Sequence, residues 1–280
     1  MHYKLGLYEK SMPNNISIRE KLEIAAETGY DYLELSIDET DEKQARLEWS
    51  ADEIDALKDA IKETKVPIKS ICLSGHRKYP LGSRDEATRK RSLEIMQKAA
   101  SLAAQLGIAI IQLAGYDVYY EESGEDTVEL FSKNLKTATE MAAAEGVLLG
   151  FETMETEFLN TVKKTMKWVD EVNSPYLQIY PDIGNLTNAA KIYETDPVAD
   201  LAKGAGHIVA IHLKETKPDV YREVPYGEGH VDFDAMCKQS LLMGVRMFVG
   251  EFWYTGEENW REILRENNEF LRNKLNKTSS

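Results

Sequence analysis

Short apolar runs alternate along the whole chain with longer stretches in which apolar residues recur at helical spacing. Apolar runs bounded by turn residues predict strands, and spacings of about three to four predict helices packed by one face. The first strand is predicted over 3–8 (YKLGLY), with Glu9 and Lys10 at its exit. A helix follows from about 18 and stops near Gly29. The second strand, 32–37, runs into Asp38, Glu39 and a charged turn. Ser50 is placed to cap a helix over 51–64, because its hydroxyl can accept from an orphan backbone N–H. Pro67 opens the third strand (PIKSICLS), which exits into Gly75, His76, Arg77 and Lys78. A long helix over 85–106 ends at Gly107, a residue type favoured after a helix C-terminus.

The second half repeats the pattern. Strands are predicted over 109–113, 147–151, 177–180, 208–213 and 246–250, with helices over 126–145, 162–172, 197–202, 234–243 and 258–274. Glycines 29, 107, 146, 206 and 244 each stand between a helix and the next strand. Strands alternating with helices predict a parallel sheet, and eight such units predict a single (β/α)8 TIM barrel over 1–280. The tail is expected to fray from about 275.

Composition narrows the class. A net charge of −14 and no clustered basic face argue against a nucleic-acid partner. No apolar run reaches the length of a membrane span, and the N-terminus lacks a secretory apolar core. The two cysteines, Cys72 and Cys237, lie far apart in apolar contexts and read as buried thiols. A cytoplasmic enzyme acting on a small molecule is the expectation.

Chemistry concentrates at strand exits. VLLGFET, LQIYPDIGN, IVAIHLKET and MFVGEFW each deliver one metal-type ligand where an apolar run ends: Glu152, Asp182, His212 and Glu251. In a TIM barrel the C-terminal strand ends converge on the face that carries the active site. Three carboxylates and one imidazole suit one divalent ion such as Mn2+, Mg2+, Co2+ or Zn2+. Taken singly, each is more often a solvated acid or a satisfied polar residue than a ligand; four at consecutive exits favour a shared centre.

Other exits supply candidate substrate contacts. His76 reads either as part of a basic surface turn or as a contact to a substrate hydroxyl or phosphate. Asn185 stands three residues after Asp182 and is placed to reach the same pocket. Lys214, Lys217 and Arg222 follow the seventh strand, a region where this fold often binds phosphate. Each is equally a solvated charge. The aromatic residues of 116–120 and the pair Trp253–Tyr254 suit either a pocket wall or an interface, and a homodimer is the expected assembly.

No phosphate-binding P-loop, dinucleotide glycine fingerprint, serine-nucleophile elbow or zinc CxxC pair occurs. The strings GLYEKSMP, ELSIDETDE, CLSGHRKYPLGS, IQLAGYDVYY, QIYPDIGNL, GHIVAIHLKETKP and VPYGEGHVDF, spread from about 4 to about 270, resemble the sugar-phosphate 3-epimerases of the xylose-isomerase-like TIM-barrel superfamily. Within that group the similarity is to the L-ribulose-5-phosphate 3-epimerases of L-ascorbate breakdown. The resemblance implies one divalent metal on Glu152, Asp182, His212 and Glu251, with Glu152 and Glu251 doubling as the acid/base pair. It implies a ketopentose 5-phosphate substrate inverted at C3. Asn185 stands where the related free-sugar enzymes have a histidine, as in the phosphate-sugar branch. Three other readings remain: an aldose–ketose isomerase on the same barrel, a phosphodiesterase of the apurinic-endonuclease type, and a sugar-phosphate-binding protein without turnover. The phosphodiesterase wants several histidine ligands and a basic face, against five histidines and a net negative chain.

Overall fold

The computed structural model describes residues 2–277. Eight parallel strands form one sheet: β1 (Lys4–Tyr8), β2 (Tyr32–Ser36), β3 (Ile68–Leu73), β4 (Ile110–Ala114), β5 (Leu148–Glu152), β6 (Leu177–Ile179), β7 (Ile211–Leu213) and β8 (Met247–Gly250). Their order is β6-β5-β4-β3-β2-β1-β8-β7. The two end strands meet through parallel bridges between Ile179 and Ile208 and between Asp182 and His212, which close the sheet on itself. This is the TIM barrel expected from the alternation.

Ten α-helices accompany the strands among the described residues: α1 (Ile18–Glu27), α2 (Asp41–Gln44), α3 (Ala51–Thr64), α4 (Glu86–Leu106), α5 (Glu125–Ala144), α6 (Val162–Val172), α7 (Ile183–Ile192), α8 (Pro197–Ala202), α9 (Phe233–Leu242) and α10 (Trp260–Lys277). Ser17 and Ser50 form reciprocal capping boxes with Glu20 and Glu53, each satisfying orphan N–H groups. All five glycines of the helix–glycine–strand rhythm have positive φ, from 69° to 88°, a conformation glycine adopts without steric cost. Two helices, α2 and α7, were not expected. The last helix runs to Lys277, and 278–280, most of the tail expected to fray, lie outside the described residues. No helix among the described residues is long and apolar enough to cross a membrane.

Successive strand residues point to opposite faces, and the core divides accordingly. The larger part lies between sheet and helices and includes Leu5, Leu33, Ile71, Ile111, Leu149 and Phe248. A smaller set fills the barrel: Tyr8, Tyr32, Cys72, Ile110, Tyr180, Ala210 and Val249. Gly6 is required here, because a β-carbon on it would collide with the Tyr32 ring. The inward positions continue by steps of two to Glu34, Gln112, Glu152, His212 and Glu251. The barrel interior thus turns polar toward the C-terminal strand ends.

Beside it, Glu9 is fully buried and accepts from three cations: Lys21 Nζ at 3.0 Å, Lys43 Nζ at 2.5 Å and both Arg46 terminal nitrogens at 2.5 and 2.6 Å. The Ser36 backbone N–H donates to it as well, at 2.8 Å. This cluster ties α1, α2 and the turn after it to the exits of β1 and β2.

Candidate metal centre and cavity

Glu152 ends β5, His212 is the middle residue of β7, and Glu251 directly follows β8. Asp182 lies three residues beyond β6 and caps α7, its Oδ1 accepting from the Asn185 N–H at 2.8 Å. All four are buried, and one ligand atom from each lies within 4.8 Å of every other. Donor atoms about 2.1 to 2.3 Å from a single ion stand at most about 4.5 Å apart, so the cluster is close to the compactness that one divalent ion requires. Two of its oxygens, Asp182 Oδ2 and Glu251 Oε2, are buried, with Lys214 as the one lysine or arginine beside them among the described residues. Three buried carboxylates against one lysine leave negative charge uncompensated, which is costly. Three carboxylates and an imidazole therefore fit a hard or borderline divalent cation.

The surroundings fix each side chain. His212 Nδ1 faces Glu152 Oε1 at 2.9 Å and Glu251 Oε2 at 3.3 Å, and Nε2 faces Glu34 Oε1 at 2.6 Å. Gln112 donates to the second oxygen of Glu152. Lys214 Nζ stands 2.8 Å from Asp182 Oδ2 and 3.6 Å from Glu251 Oε2. Burial pushes Glu152 up, reinforced by Glu251. Burial and the neighbouring carboxylates push Asp182 well up, with Lys214 opposing. Burial acts the same way on Glu251, but Lys214 and His212 outweigh it and hold that carboxyl well below its usual range. Burial would discharge His212; Glu34, Glu251 and Glu152 overcome it and raise the imidazole well above its ordinary value.

Glu152 and Glu251 line one end of a small cavity, about 50 Å3, that opens to solvent. Of the expected substrate contacts, Asn185, Lys214 and Arg222 line it. Asn185 is held by its Nδ2, which donates to the Thr153 carbonyl at 2.8 Å. The Arg222 guanidinium lies 5.7 Å from the Trp253 ring centroid and 3.7 Å from Glu155. His76 is a correction. It is buried, its Nε2 lies 3.1 Å from the Ser92 carbonyl oxygen, and it is not among the cavity residues. Burial pushes its pKa down to about 4, which makes it a neutral core histidine. The neighbouring Arg77 lines the cavity instead, stacked 4.8 Å from the Tyr119 ring. Lys217 is half-exposed beside Glu228 and also lies off the cavity.

Sequence reasoning overlooked Lys10, Glu155, Gln112 and Glu34. Lys10 and Glu155 line the cavity. Glu34 and Gln112 did leave a signal, a polar residue inside a strand whose residues are all buried. Such residues are costly without partners.

A family model described as the xylose isomerase-like TIM barrel matches residues 22–274. The chain belongs to that family. An L-ribulose-5-phosphate 3-epimerase UlaE from Escherichia coli O139:H28 is 46% identical over 265 residues, covering 93% of this chain and 91% of that protein. One from Shigella sonnei is 44% identical over the same shares of both chains. Within the family the chain is an isomerase of the carbohydrate epimerase class. The fold superposes on the crystal structure of a D-tagatose 3-epimerase-like protein with a TM-score of 0.81 at 17% identity, covering 99% of this chain and 98% of that one. A structure of L-ribulose 3-epimerase gives 0.77 at 18% identity, covering 100% and 96%. At such identities the likeness speaks for the fold.

Proposed function

We propose that the chain is a metal-dependent 3-epimerase of ketopentose 5-phosphates that interconverts L-xylulose 5-phosphate and L-ribulose 5-phosphate. The observation that carries this reading is a pair of buried carboxylates, Glu152 and Glu251, flanking one imidazole nitrogen at the end of a cavity that Lys10, Arg77, Lys214 and Arg222 also line. The relatives at 44–46% identity support the substrate class.

Inverting C3 beside a ketone requires breaking the C3–H bond and forming a new one on the opposite face. Glu152, Asp182, His212 and Glu251 would hold the cation, whose Lewis acidity stabilises negative charge on the adjacent substrate oxygens. One of Glu152 and Glu251 takes the C3 proton, and the other returns a proton from the far side. Reversing the direction exchanges their roles, so both epimers are served without net oxidation. Gln112, donating to Glu152, holds that carboxylate in place. The four cavity cations draw an anionic substrate into a chain whose net charge is −14. General acid/base catalysis contributes about 10²–10⁴-fold, so electrostatic stabilisation and positioning supply the rest.

Proton NMR of L-xylulose 5-phosphate in D2O, with Mg2+ and with a chelator control, tests this. Chelator-sensitive loss of the C3 proton signal, with appearance of L-ribulose 5-phosphate, is the expected result. Exchange at C1 without exchange at C3 would move the reading to aldose–ketose isomerisation. No exchange at either carbon would leave a binding role.

A further inference from the structure

Glu34 lies in the middle of β2, on the barrel-facing side, and is completely buried. A carboxylate there is costly unless every oxygen finds a donor. Its Oε2 accepts from Ser70 Oγ at 2.6 Å and from Tyr180 OH at 2.7 Å. Its Oε1 lies 2.6 Å from His212 Nε2. These donors come from β3, from the residue after β6 and from β7, so the carboxylate is held from three sides of the barrel. Among the described residues neither lysine nor arginine hydrogen-bonds to it, and His212 is its one nitrogen partner.

The reciprocal effect falls on His212. Nε2 is engaged by Glu34 Oε1, and Nδ1 is turned toward Glu152 and Glu251. Rotating the ring would break the short Glu34 contact and leave a buried carboxylate oxygen unpaired. The Tyr180 ring, 4.8 Å from the imidazole centroid, packs against it edge-on. Tyr180 thus serves both members of the pair, donating to Glu34 and blocking displacement of His212.

We propose that Glu34 is a positioning residue for the metal centre: it commits His212 to ligation through Nδ1 and strengthens that nitrogen as a donor through the Nε2–H bond. The inference rests on the metal-dependent reading given above. Carboxylate partners of ligating histidines typically contribute 10–100-fold in metal affinity.

The test uses Zn2+ as a diamagnetic probe and does not depend on turnover. Zn2+ affinity of the metal-free protein is measured by calorimetry for the wild type and for Glu34→Gln, which keeps the shape and removes the charge. Long-range proton–nitrogen spectra of the histidine-labelled, Zn2+-loaded wild type then identify the ligating nitrogen. Zn2+ dissociation constants 10–100-fold higher in Glu34→Gln, with His212 bound through Nδ1 and protonated at Nε2, are expected. Affinity within twofold of the wild type overturns the proposal while leaving the metal-dependent reading intact. Failure of the wild type itself to bind Zn2+ at the cluster removes both. Should Glu34→Gln fail to fold, the wild-type spectrum decides alone: ligation through Nδ1 sustains the proposal, and ligation through Nε2 overturns it.

Discussion

Glu152 and Glu251 each face two demands, holding a cation and moving a proton. A glutamine at either position keeps the volume and one oxygen donor but can no longer accept a proton at neutral pH. Glu152→Gln and Glu251→Gln are therefore each expected to lower epimerisation by at least 10²–10⁴-fold, measured as C3 exchange in D2O at saturating metal. Near-native turnover in either variant with metal bound would rule out the two-carboxylate route. At this scale the clustering of the four candidate ligands was legible because each stood at or near the end of an apolar run, and a barrel brings such ends together. The exit of β3 was not. Residues 74–77 form a 3-10 turn, in which neighbouring side chains diverge by about 120°. The string GHRK does not reveal which of His76 and Arg77 faces the cavity; the fold turns His76 under α4 and Arg77 outward.

Helix boundaries were legible where their caps are local. Ser50 announces α3, and the structure shows both bonds of its capping box and of an equivalent one at Ser17 that the sequence reading passed over. Ser50→Ala is expected to destabilise the protein by about 1 kcal/mol, read from urea unfolding, with little effect on activity because α3 stands apart from the cavity. The missed helix α7 illustrates the opposite case. The first five residues of its sequence IGNLTNAAKI include glycine, asparagine and threonine, residues of modest or poor helix propensity. What organises it is Asp182, whose Oδ1 caps the helix while its other oxygen faces the centre. The same aspartate reads as a ligand or as a cap, and the assembled barrel shows that it caps α7 while facing the other three candidate ligands.

For the molecule as a whole, Glu9 matters more than the surface ion pairs, which contribute little individually. Burial favours its neutral form, yet Arg46, Lys21 and Lys43 hold it well below the usual carboxylate range. A folded-state pKa that is depressed stabilises the protein fully above the unfolded value of about 4.3, and that contribution fades as pH falls toward the folded value. Stability from this group should therefore be level from pH 7 to about 5 and decline below about 4.3. Glu9→Gln is expected to cost about 3–5 kcal/mol at pH 7, by stranding three buried cations, and to weaken the acid-limb slope. Denaturant midpoints from pH 3 to 7 check both.

The closure between β6 and β7 has one more consequence. Those strands are three residues each, and the bridges that join their ends include Asp182 to His212, two members of the candidate quartet. The buckle of the barrel and its proposed reactive centre thus share residues. Chemical competence and circular integrity are inspected together at that point: a chain that has not fastened its last seam has no centre to offer, and an intact centre certifies that the ring is shut.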